Sequence, residues 1–101
     1  MNIDTEKGLI EAKSEHENYV KEASGVKPNT VRIVTAVEAN WLRSLESSIL
    51  DEDQAVTIVI TDVETEDNTR RQVTDISFVG TLAGHEITVI SWRHVSMEET
   101  K

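Results

Sequence analysis

From Asp4 to Ser24 the apolar positions fall three and four residues apart. Leu9, Ala12, His16, Tyr19 and Ala23 share one stripe, which predicts a helix over 4–24. Asp4 or Thr5 would cap its start, Gly25 would take the left-handed residue that ends it, and Pro28 stands where no helix continues. One leucine, two alanines, a histidine and a tyrosine give that stripe little apolar surface to bury. The pattern changes at Thr30. Val, Ile and Thr make up twenty-six of the sixty-six residues from 30 to 95, a composition that suits half-buried strands. Thr30 to Ala36 alternates, with Val31, Ile33 and Thr35 on one side and Arg32 and Val34 on the other. Thr35-Ala36-Val37-Glu38 then has the form of a capping box, in which hydroxyl and carboxylate each bond the other residue's backbone N–H. The helix it opens, about 36–50, sets Val37, Trp41, Leu42, Leu45 and Ile49 on its inner side, with Trp41 as the expected core anchor.

Three more strand patterns follow, Ala55–Thr65, Arg70–Gly80 and His85–Val95. Short connections rich in turn residues separate them, which predicts consecutive antiparallel hairpins. Gly80 and Gly84 read as positions of positive φ. Arg70 and Arg71 would face Glu64 and Glu66 across the first turn as cross-strand ion pairs, and Trp92 would bury with Ile90 and Phe78. The expected architecture is one α+β domain over 1–101, in the order α-β-α-β-β-β. Its N-terminal helix lies in 1–29, its core in 30–95 and a tail in 96–101, with helices on one face of a mainly antiparallel sheet. The first two strands could be parallel only through a right-handed crossover. An alternative bends 38–95 into a helix and a small SH3-like barrel, ending in a short strand at Trp92-Arg93-His94-Val95-Ser96-Met97. In outline, over about half the chain, that arrangement resembles the helix-plus-barrel regulators of the Sm-like type.

Charge changes the picture most. Nineteen acids against ten bases give −9, and the excess is local. Asp51, Glu52, Asp53, Asp62, Glu64, Glu66 and Asp67 fall within residues 51–69, where there is no base. The first three follow a helix C-terminus, where the macrodipole is already negative. Asp62, Glu64 and Glu66 alternate, so on one strand all three would project from the same face. Stability alone would not select either arrangement, although acids also guard sheet edges against pairing. Such a field repels nucleic acid and anionic lipid and attracts basic surfaces.

Candidate chemistry is sparse. His16, His85 and His94 stand in three different elements, none paired at the spacing that aims two imidazoles at one metal. His94 and Glu98 are four apart but straddle a strand end. The run Asp62 to Asn68 lacks the glycine and distal glutamate of a calcium loop. The chain has no cysteine and no nucleophile elbow or phosphate loop. No enzyme, metal or cofactor is therefore expected. The longest apolar run is Ile58-Val59-Ile60, so no spanning helix is expected, and a start carrying Asp4 and Glu6 is unlike a signal peptide. The absence of thiols fits a cytoplasmic setting. These readings converge on a non-enzymatic binding protein whose seven clustered acids meet a basic protein surface, as an inhibitor, immunity protein or nucleic-acid mimic would. The alternatives are a homo-oligomeric assembly subunit, or a regulator that holds a small ligand near Trp41 or Trp92.

Overall fold

A computed structural model describes residues 1–93. The strand ending at Val95, the pair His94 and Glu98 and the tail 96–101 fall wholly or partly outside the described residues. The elements in chain order are β1 (Asn2–Asp4), β2 (Leu9–Ser14), α1 (His16–Ser24), β3 (Asn29–Val34), α2 (Ala36–Leu50), β4 (Thr57–Asp62), β5 (Asn68–Leu82) and β6 (His85–Trp92). The six strands form one curled sheet, a half-barrel, in the order β1-β2-β4-β5-β6-β3. Among the described residues only β2 and β4 run parallel; the other neighbours are antiparallel.

The long first helix does not form. Its first half is a hairpin, because Ile10, Ala12 and Ser14 are buried at every second residue while Glu11 and Lys13 are exposed. Asp4 Oδ1 accepts the Glu6 and Lys7 N–H groups at 3.1 and 3.0 Å, and Gly8 closes the turn at φ +66°. Only glycine fits there, since a Cβ would stand 2.6 Å from the Ala55 carbonyl oxygen. The helix that remains ends as expected at Gly25, φ +87°. The first predicted strand differs too. It becomes β3, at the sheet edge and antiparallel to β6, with no crossover to β4; the parallel partner of β4 is β2.

The capping box is present: Thr35 Oγ1 accepts from Glu38 N–H at 3.2 Å, and Glu38 accepts from Thr35 N–H at 2.9 Å. The buried stripe of α2 is Ala39, Leu42 and Leu45. Trp41, one residue round the helix, is 44% exposed and is not the core anchor. The core joins that stripe to Tyr19 of α1 and to Ile10, Val34, Ile58, Ile60, Ile76, Ile90 and Trp92 of the sheet, with Phe78 packed against it. β5 and β6 meet through Ala83 and Gly84, at φ +51° and +82°, the two left-handed residues a tight hairpin turn requires. Gly80 does not have a positive φ; it sits at a bulge opposite Ile87.

The curl brings β3 back toward β2 without a backbone ladder between them. Arg32 fills that seam. Its Nη1 donates to the Lys13 carbonyl at 2.7 Å, its Nη2 to Ser14 Oγ at 2.9 Å and its Nε to Thr30 Oγ1 at 3.0 Å. One side chain takes the place of the hydrogen bonds that would complete a barrel.

Candidate functional site

The acidic run is contiguous in sequence and divided in space. Asp51, Glu52 and Asp53 precede β4, and Glu64, Glu66 and Asp67 follow it. Six residues of strand hold the two groups roughly 20 Å apart. All six of these acids are exposed; Asp62 is not.

At the first corner α2 ends on its own backbone. The Asp51, Glu52 and Asp53 N–H groups donate to the carbonyls of Ser47, Ile49 and Ser48 at 2.9, 3.2 and 3.0 Å. No basic residue occupies the last turn, so the like-signed dipole end is left uncompensated within the helix. Glu52 has φ +57° and borders an open groove of about 440 Å³ that also meets Ile49, Val56 and Val73.

The second corner is built around Asp62, which is 1% exposed at the end of β4. Its Oδ1 accepts the Glu64 N–H at 2.8 Å, and its Oδ2 accepts from His16 Nδ1 at 2.6 Å. Its backbone N–H donates to the Asp67 carbonyl at 2.8 Å, and its carbonyl accepts from Glu66 N–H at 2.9 Å. Burial alone would raise the Asp62 pKa, but the bonds from His16, Glu64 and Thr65 outweigh it and hold the carboxyl below its ordinary value. The same bond to Asp62, with the charges of Asp62, Glu64 and Glu17, raises His16 above 6.5. Asp62 is thus the internal fastening of a turn that displays Glu64, Glu66 and Asp67. Glu66 stands at φ +65°.

Two expectations for this corner are corrected. Asp62, Glu64 and Glu66 do not share a strand face, because β4 ends at Asp62 and the chain turns. Arg70 and Arg71 do not face the glutamates; the register sets them opposite Val59 and Ile58, and Arg71 donates to the Ala23 carbonyl at 2.8 Å. The pairing of His16 with Asp62 has no sequence signal, since 46 residues separate them. The burial of Glu22 does have one. It lies three residues after Tyr19 on the inward side of α1.

Among the described residues no three histidine, aspartate or glutamate side chains converge as a metal cage, and no helix is long and apolar enough to cross a membrane. No protein-family model, curated protein or solved structure matches the chain.

Proposed function

We propose that the protein is a non-enzymatic binding module whose two acidic corners engage a basic protein surface, as an inhibitor, immunity protein or nucleic-acid mimic does. The observation that carries this reading is the backbone of Glu52 and Glu66. Among the described residues three non-glycine residues have positive φ, and two of them are these exposed glutamates, one at each corner. An L side chain in that region costs about 1–2 kcal/mol, so glycine or asparagine would be the relaxed choice. Strain held at charged, exposed positions is more readily explained by a binding role than by folding. Asp62 belongs to this function as a positioning residue, since a buried carboxylate does not touch a partner. The corners stand apart like widely spaced phosphates, which suits a partner with two basic patches. Association would be fast and salt-sensitive.

The test is capture from host lysate at low salt by the original protein and by two variants. One carries Glu64→Gln, Glu66→Gln and Asp67→Asn, and the other Asp51→Asn, Glu52→Gln and Asp53→Asn. A basic partner lost from both variants and released by salt supports two-point docking. Equal capture by all three proteins refutes it.

A second reading, a self-assembling subunit, is favoured by β3. This edge strand exposes Val31 and Ile33 at 53% and 58%, beside Ile87 and Val89 of β6. Light scattering of the original protein and of Val31→Lys separates the readings, because a dimer through β3 would dissociate in the variant.

A further inference from the structure

A second polar site lies beneath α1, sharing Lys13 with the pocket beside Asp62 and Glu66. Glu22 is 0% exposed, and neither of its carboxylate oxygens has a hydrogen-bond partner among the described residues. An ionised carboxylate in that state carries a desolvation penalty that no hydrogen bond offsets. Glu22 lines a cavity of about 270 Å³ together with Lys13, Glu15, Asn18, Lys27, Thr30 and Arg32. Arg32 is near enough to feel its charge. Burial lowers the guanidinium pKa, and Glu22 opposes that effect in part. Yet the Arg32 bonds run to Lys13, Ser14 and Thr30, not to Glu22, and they spend three of the five guanidinium N–H donors.

The cavity therefore offers an unmet acceptor at Glu22, and cationic donors at Lys13, Lys27 and Arg32. A metal ion would find two carboxylates, Glu15 and Glu22, outnumbered by three cations, where hard cations take several oxygen ligands. A simple anion would satisfy the lysines and meet Glu22 as a like charge. A molecule carrying both signs satisfies both ends. We propose that this cavity binds a small zwitterion of amino-acid size, its ammonium on Glu22 and its carboxylate on Lys13, Lys27 and the spare donors of Arg32. The volume lies just below the range of drug-sized pockets, which suits a ligand of a few carbons. The cavity adjoins the second acidic corner through Lys13 and Ser14, but Glu22 belongs to neither corner, so Glu22→Gln tests this site alone.

The probes are glycine, β-alanine, 4-aminobutanoate and 5-aminopentanoate, each beside the alkylamine and the alkyl carboxylate of the same length. Binding is followed by amide chemical shifts of the isotope-labelled protein, and stability by thermal melting. At least one zwitterion is expected to shift α1 and β3 amides saturably in the millimolar range or tighter, with its two half-molecules weaker by about tenfold or more. Glu22→Gln is close in size and removes the unpaired charge. It is expected to raise the melting temperature of the free protein while weakening that zwitterion by about tenfold or more. Lys27→Met, at the cavity rim, is expected to weaken the zwitterion and leave the alkylamine unchanged. The proposal is overturned if no zwitterion gives a saturable shift up to about 50 mM, a concentration that would reveal even binding weaker than 4 kcal/mol. It is equally overturned if Glu22→Gln binds as the original does, or if a half-molecule binds as tightly as the whole.

Discussion

Replacing Arg32 by methionine tests whether one side chain closes the half-barrel. Methionine keeps most of the aliphatic packing and removes the bonds to the Lys13 carbonyl, Ser14 Oγ and Thr30 Oγ1. A hydrogen bond from a charged donor contributes about 1.5–3 kcal/mol net, but Arg32 is half-buried and the Thr30 bond spans only two residues. About 1 kcal/mol for each bond is the appropriate discount. Ser14 and Thr30 are themselves buried, so their hydroxyls lose a partner where water does not replace it. Recovery of the guanidinium desolvation offsets part of the loss, while Glu22 loses a neighbouring cation. The balance is a destabilisation of about 2–3 kcal/mol, against a total of about 5–15 kcal/mol expected for a domain of this size. For this length that lowers the melting temperature by roughly 8–20 °C. Thermal and urea melts should be read by Trp92 fluorescence in a Trp41→Phe background, with hydrogen exchange at the β3 amides. Arg32→Lys supplies one ammonium to the three acceptors and should recover less than half of the loss. A fall of less than about 4 °C, corresponding to under 1 kcal/mol, with β3 protection unchanged, would refute the idea that Arg32 holds the seam.

Other expectations are as direct. The folded-state pKa of His16 is raised above 6.5, so its contribution is full below that value and fades as pH rises through the folded value. That of Asp62 is lowered below 3.8, so its contribution is present above that value and lost as pH falls through the folded value. The melting-temperature gap between the original protein and His16→Gln should therefore be widest between about pH 4 and 6.5 and narrow toward pH 9; a gap independent of pH would count against the pair. Leu42→Ala should cost about 2–5 kcal/mol in urea melts, while Trp41→Phe, on the exposed side of α2, should change stability by about 0.5 kcal/mol or less. Glu66→Gly should stabilise by about 0.5–1 kcal/mol, the relief of left-handed strain less the added freedom of the unfolded glycine, and should weaken partner capture. A destabilised Glu66→Gly protein would remove the argument that strain marks this corner.

Local rules were sufficient where one signal dominated. The capping box of Thr35 and Glu38, the hairpin turn at Gly84 and the burial of Trp92 with Ile90 all depend on neighbours in sequence or on short-range registers. They failed over 4–14, where Leu9 and Ala12 keep helical spacing with His16 while Ile10, Ala12 and Ser14 keep strand spacing. Six residues do not decide between those periods, and parallel pairing with β4 does. Trp41 borders the apolar stripe of α2 but stays largely exposed, because the buried direction of the helix is set by Ala39, Leu42 and Leu45. The acids were legible as a charge excess but not as a shape. Nothing local tells that Asp62 turns inward to His16, or that β4 divides the remaining acids between two ends of the sheet.

The strand order has a consequence for how the molecule is made. β2 begins its pairing at Leu9 with Thr57, and β3 begins its own at Asn29 with Ser91. Each waits for a partner from the later half of the chain. On a ribosome the early residues can form only the β1–β2 hairpin and the helices, and Val31 and Ile33 emerge long before the strand that receives them. Assembly of the sheet therefore waits until β6 has emerged, and such long-range pairing is slow to form. Partly made chains crowded on one message would offer each other the β3 edge first.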